Sequence, residues 1–544
     1  MIKISFSYPL LTSIFLLINN SVFAQQIKLN GEVKSALETV DTAQIKADIT
    51  YLADDKLKGR LPGTEGYQMA VDYVTERLKS LGVQPSGENG GWLQKVRLRK
   101  ATTSNASLTV SGLQHTPEIA WGADYLIYPN PKTPEQHANA QVVFAGFGIS
   151  EPALGYDDYA GLDVKGKIVM ITRGSPDNFS SSVSAHTMNS THLLKVAAEH
   201  GAIGVLMASS DSSARTGVKS RPFYSVMDGK GDVSVSGIYY SSQISFYGAV
   251  NYKLFSSFVQ ASGKSVADII AKLKSGVPQS FPVNATVAVN YTSSYQDILS
   301  YNVVGKITGT DPQLKDTYVV HSAHLDHLGI GTPVKGDSIY NGAHDNASGV
   351  ASVLAIAGIY QHIKIKPKRS LVFVLMTGEE MGDLGSGYFA KYPTVSGSLV
   401  ADVNTDMPTI IAPLLSITAL GAEHSSMAKQ VDEAASLLNL SVEADPEPKQ
   451  ARFTRSDQYS FVVEGIPAIH VKYGSKTPDG KNNLNEMVAV WRAKYYHKPQ
   501  DDINGIFNFG AGKTYAQLNF LIGYLIAGDK DKPTWNKGDI FAVR

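Results

Sequence analysis

The sequence has no cysteine among its 544 residues. Disulfides, thiolate metal sites, cysteine nucleophiles and a cysteine-linked lipid anchor are all excluded. It has no net charge either: 49 Lys and Arg balance 49 Asp and Glu. No nucleic-acid partner is expected, because such binders carry a basic excess. Beyond the first residues no apolar run is long enough to cross a membrane. There is no internal repeat, and low complexity is confined to a serine-rich patch at 180–184. What the chain does have is 43% hydrophobic and 18% charged residues, enough for a sizeable core. Its length points to two domains.

The beginning of the chain reads as an address. Lys3 gives a positive start, 9–18 is apolar, Asn19 and Asn20 interrupt it, and Val22-Phe23-Ala24 fits a small-residue cleavage rule. Residues 1–24 are expected to be a signal peptide. The protein is then exported, periplasmic or secreted, with no stable membrane insertion after cleavage.

Residues 25–107 carry helical periodicity at 41–52 and 66–81, with a turn by composition at 59–63. From 108 to 290 the chain becomes rich in short β patterns, Ser and Gly. Strands are expected at 142–145, 167–171 and 201–207 and a helix at 191–200, and this stretch is read as a separate insert. From 291 to 528 strands (317–321, 370–376, 399–403, 414–420, 468–471) alternate with helices (348–361, 509–527). Residues 529–544 are a tail. The alternation predicts an α/β fold, a three-layer αβα sandwich with a mostly parallel central sheet, plus an inserted β-rich domain.

Acid and histidine concentrate between 318 and 406. His324, the pair Glu379-Glu380 and Asp406 each fall a few residues past an expected strand. Asp345 lies in a loop just before a helix. Ligands of such sheets bind beyond the carboxyl ends of the strands, so these clusters can converge on one edge. With His497, and counting one acid of the Glu379-Glu380 pair, the candidate ligands are two histidines and three carboxylates, a set that suits zinc and also accepts cobalt or manganese. One bridging carboxylate would give each of two ions three protein ligands; ions ~3.5–4 Å apart can activate a shared water. Within Glu379-Glu380 one acid would ligate and the other take the proton. Asp326, two residues after His324, is placed to orient its imidazole. His321, His327 and His344 are expected to be structural, because the ligand count closes without them. His470 reads as a core residue, and Arg452 and Arg455 as solvated loop residues.

The motifs His324-Leu325-Asp326, Gly342-Ala343-His344-Asp345-Asn346-Ala347-Ser348-Gly349, Gly378-Glu379-Glu380, Asn404-Thr405-Asp406 and Tyr496-His497 resemble those of the co-catalytic dizinc aminopeptidase family. That family includes bacterial leucyl aminopeptidases, glutamate carboxypeptidase II-like zinc exopeptidases and the related glutaminyl cyclases. The insert resembles a protease-associated (PA) domain through 143–149, 156–159, 163–168 and 198–202. The resemblance implies two Zn2+ per chain, with Co2+ or Mn2+ as substitutes. His324 and Asp406 would hold one ion, Glu380 and His497 the other, and Asp345 would bridge. Glu379 would be the general base, and Tyr496 would hydrogen-bond the developing oxyanion. The expected substrate is a peptide with a free N-terminus. The alternatives are a carboxypeptidase of the glutamate carboxypeptidase type, a cyclase-like acyltransferase using one zinc, or a binding module with a degenerate site. Two positions depart from the pattern: His344 stands where relatives have an acid or an apolar residue, and Gln458 where they have a histidine.

Overall fold

The inner strands of the sheet form where apolar residues run unbroken, since both of their faces are covered, whereas its long strands alternate buried and exposed residues. In chain order they are β1 (Leu93–Ser111), β2 (Glu135–Ala145), β3 (Ile168–Thr172), β4 (Gly204–Ala208), β5 (Phe246–Val250), β6 (Ser280–Ile307), β7 (Thr317–His324), β8 (Ser370–Met376), β9 (Ser398–Asn404), β10 (Ser416–Leu420), β11 (Ser441–Val442) and β12 (Ala468–Tyr473). The helices that matter here are α1 (Thr42–Leu52), α2 (Glu65–Ser80), α3 (Ser181–Thr187), α4 (Ser190–Glu199), α5 (Ser348–His362), α6 (Leu384–Lys391) and α7 (Phe509–Gly528). The computed structural model describes residues 30–113, 118–213, 221–364 and 366–542. The expected signal peptide at 1–24 lies outside them.

The sheet order is β11-β10-β12-β9-β7-β8-β6, and it continues through β2-β3-β4-β5. In the first part neighbours are parallel except at β10/β12 and β6/β8. Alternate residues of β7 enter different cores. Val319 and Ala323 pack with α1, α2, α5 and α7, while Tyr318 and Val320 join Phe389 of α6 and Phe461. This is the three-layer αβα arrangement. Each fully buried Val, Leu or Ile of α5 contributes roughly 1.5–3 kcal/mol of transfer free energy, and Val350, Val353, Leu354 and Ile356 are all fully buried.

β1 and β6 are far longer than their surroundings suggested. They pair antiparallel from Leu93↔Val303 to Ser111↔Thr286 and run from one core into the next. The strands β2 to β5 build a separate core with Phe144, Phe255, Phe258 and Val287. Residues 529–542 do not hang free: Trp535 and Phe541 pack beside Phe453 and Tyr459.

Candidate metal centre

The parallel register lines up the strand ends. His324 closes β7, Thr377-Gly378-Glu379-Glu380 follows β8, and Asp406 follows β9 two residues on. Asp345 sits in the irregular turn Ala343–Ala347 just before α5. His497 comes from the segment after the helix Leu484–Tyr495.

The predicted ligands converge. His324 Nε2 lies 3.3 Å from Asp345 Oδ1 and 3.3 Å from Asp406 Oδ1. His497 Nε2 lies 3.2 Å from Asp345 Oδ2 and 3.3 Å from Glu380 Oε2. The two oxygens of Asp345 thus face two different histidines, each beside a second carboxylate. Glu379 Oε2 is 4.0 Å from His324 Nε2. Tyr496 stacks on His497 with ring centroids 3.8 Å apart, under the Arg492 guanidinium.

The second set of contacts fixes tautomers and loops. His324 Nδ1 donates to the Asp326 carbonyl oxygen (3.2 Å), which leaves Nε2 free to ligate. The Asp326 carboxylate stands 3.9 Å from that nitrogen and instead accepts the amides of Glu379 (3.2 Å) and Glu380 (3.4 Å). His470 Nε2 (2.8 Å) and Lys472 Nζ (2.9 Å) both donate to the Asp406 carbonyl. Asn346 Oδ1 accepts from Gly349 (3.0 Å) and Met407 (3.1 Å), tying the Asp345 loop to the Asp406 loop. A Cβ on Gly349 would stand 2.1 Å from that oxygen and 2.3 Å from the Thr405 carbonyl, so only glycine fits there.

Electrostatics match a site built for cations. Burial opposes the charged imidazole of His324, but Glu379, Asp345 and Asp406 outweigh it and hold the group well above the usual range. Burial, Asp383, Asp406 and Glu380 push the Glu379 carboxyl far up, with His324 opposing. Burial and the Asp345 charge push the Tyr496 hydroxyl up, so it stays protonated. Glu380 Oε1 and His327 Nδ1 are buried against each other, and His327 Nε2 is buried without a hydrogen-bond partner. This donor set, imidazole nitrogens and carboxylate oxygens with a buried nitrogen left over, fits zinc.

Several residues here were not singled out as site residues by sequence. His327 was assigned a structural role; its Nδ1 lies 2.6 Å from Glu380 Oε1, and it groups with Asp345 and Glu380. The loop after β7 turns it back into the same space as His324. Asp501 accepts the amides of His344 (3.0 Å) and Asp345 (3.1 Å). Arg60, in the segment read only as a turn, is fully buried and donates to the carbonyls of Leu325 (2.9 Å), Asn341 (2.6 Å), Gly342 (3.1 Å) and Leu52. Lys58, Gly59 and Arg60 are all left-handed, which folds this arginine inward. His321 and His344 stay outside the cluster, beside Tyr360 and stacked on Phe507. Arg452 is buried against Asp445 and Glu447 rather than solvated.

Fold and donor set together define the class: an α/β protein with a carboxylate- and histidine-lined site for zinc. Residues 302–518 match the model of peptidase family M28, and 138–242 match the PA domain. Over residues 302–518 the chain is similar to peptidase family M28, with a PA-like stretch before them. A probable zinc metalloprotease of Pyrenophora teres f. teres is 34% identical over 128 residues, 23% of each chain. Aminopeptidase Y of Saccharomyces cerevisiae is 27% identical over 215 residues, 38% of this chain and 36% of that one. The solved structure of an aminopeptidase from Aneurinibacillus sp. strain AM-1 aligns over 93% of this chain and 100% of that one, at 18% identity and a TM-score of 0.46. The chain spans about a quarter of the length of the first curated relatives it matches. Among the described residues no helix is long and apolar enough to cross a membrane.

Proposed function

We propose that this protein is an exported dizinc aminopeptidase that removes N-terminal residues from peptides. The observation that carries the reading is the divided Asp345 carboxylate, with Oδ1 toward His324 and Oδ2 toward His497. In this reading His324 and Asp406 hold one ion, Glu380 and His497 the other, and Asp345 is shared. Bound zinc supplies Lewis acidity and lowers the pKa of water.

The chain's own residues do the rest. Glu379 takes the proton of the attacking water and returns it to the leaving amine. Tyr496 keeps its proton and donates to the developing oxyanion. Asp326 positions the Glu379-Glu380 turn by accepting both of its amides. The free α-amine of the substrate is received among the carboxylates. The peptidase domain is taken as 25–107 and 291–528 and the insert as 108–290. Leu108 belongs to the insert's core, which supports the first boundary, and Tyr291 belongs to it too, one residue past the second. The names of relatives such as aminopeptidase Y support an N-terminal exopeptidase.

The test is mass-spectrometric cleavage of one unblocked peptide and its N-acetylated twin by the zinc-loaded protein. Stepwise loss of N-terminal residues from the free peptide alone is the expected result. Shortening of both from the carboxyl end would replace the proposal with a carboxypeptidase. A protein that binds one zinc and cyclises N-terminal glutamine would replace it with an acyltransferase.

A further inference from the structure

A separate group of metal-type side chains lies in the PA domain. Glu151 ends the short strand Ser150–Glu151, His186 lies in α3 and His192 in the first turn of α4. One ligand atom from each lies within 4.8 Å of the others. The imidazole rings are 4.2 Å apart. His192 Nε2 is 3.4 Å from Glu151 Oε1, yet that buried nitrogen has no hydrogen-bond partner. Convergent donors that do not bond one another call for something between them.

We propose that Glu151, His186 and His192 bind a divalent ion of the zinc type, distinct from the proposed catalytic centre, which fastens the PA domain to the peptidase domain. Two histidines and a glutamate are a three-ligand set for zinc, with a fourth position for water. Burial, with His192 beside it, holds the His186 imidazole well below its ordinary range, so it is neutral and able to ligate. Its Nδ1 lies 2.7 Å from the Tyr459 hydroxyl of the peptidase domain, which leaves Nε2 for the ion. A polar partner on the far nitrogen is the usual means of aiming a metal-bound histidine. The same helix α3 is tied a second time. Ser182 Oγ donates to His424 Nε2 (2.6 Å), and His424 Nδ1 donates to Asp539 (2.6 Å). The ion would thus lock a helix that already bridges the two domains.

The experiment is metal content and zinc titration of the full-length protein, carried out in the wild type and in an Asp345→Ala parent. Adding His192→Ala or Glu151→Gln to either background is expected to remove one tightly bound zinc per chain. Counting in the Asp345→Ala background separates failure of this site from failure of the catalytic assignment. Zinc should raise the melting temperature of the Asp345→Ala parent and not that of its His192→Ala derivative. Tyr459→Phe should keep the ion but weaken its binding about 10–100-fold. Where His192→Ala fails to fold, Glu151→Gln, which preserves shape at a partly exposed position, decides. Unchanged zinc content and affinity in folded Glu151→Gln would overturn the proposal.

Discussion

Replacing Arg60 with methionine keeps most of the aliphatic volume and deletes the guanidinium. The carbonyls of Leu52, Leu325, Asn341 and Gly342 then lose their charged donor. A hydrogen bond to a charged group contributes about 1.5–3 kcal/mol, so four bonds bound the gross loss at about 6–12 kcal/mol. Burial lowers the arginine pKa to about 10 against the pull of Asp326, Asp345, Asp501 and Glu380. Its own desolvation therefore offsets a large share. The net expectation is about 3–5 kcal/mol, the range for removing one partner from a buried charged network. Leu325 adjoins His324, and Gly342 opens the turn that holds Asp345, so zinc affinity should fall at least about tenfold. Denaturant unfolding of the apoprotein and zinc titration read the two effects separately. Arg60→Lys should fall between, since an ammonium cannot span the same carbonyls. An Arg60→Met protein within about 1 kcal/mol of wild type, with unchanged zinc affinity, would refute this account of how the centre is held.

Glu379→Gln should lower kcat about 10²–10⁴-fold while zinc content stays constant, and retained turnover would remove Glu379 from the role of base. Gly349→Ala forces backbone movement against the Thr405 carbonyl, at a cost of about 1–3 kcal/mol; a wild-type melt and zinc titration would show that the loop yields freely. Burial holds the His321 imidazole down to about 3. The unfolded chain, near ~6.5, binds the extra proton first, so this group makes the apoprotein lose stability as pH falls from ~6.5 to ~3, by about 5 kcal/mol in all. His321→Asn should flatten the acid limb of the stability curve, whereas parallel curves would exclude His321 as its source.

The peptidase core was legible because its strands are continuous apolar runs and its acid clusters follow them directly. β8 begins and ends where the sequence placed it, and α5 differs by one residue at its end. His324, Glu380 and Asp406 come together because parallel strand ends share one edge, and the loops that carry Asp345 and His497 close onto it. The β1/β6 ribbon was not legible. Its outer residues are polar and exposed, and its partners lie nearly two hundred positions apart. Arg60 and Asp501 were missed for another reason. Each works through backbone atoms of distant loops, and backbone partners leave no residue-type signature in a sequence. His327 was assigned by counting ligands, a method blind to where a loop turns its side chains.

The seating of the PA domain bears on the acid pair itself. Glu379-Glu380 lies between β8 and α6, and α6 is gripped from outside. Leu384 shares a small core with Val96, Leu98 and Val226. Lys391 Nζ donates to the Ser234 carbonyl (3.2 Å). At Gly387 a Cβ would come within 2.8 Å of Val235, so the two units touch there without room for a side chain. A cavity of about 430 Å³ remains between them, lined by Asn189, Ser234, Gly382, Asp383, Tyr459 and Ser460. Asp383 is three residues past Glu380, and Tyr459 is the residue that holds His186. Cores pack densely and transmit strain rather than absorb it. A shift of the PA domain at His186 would therefore be carried through Tyr459 and α6 to the turn that bears Glu379 and Glu380.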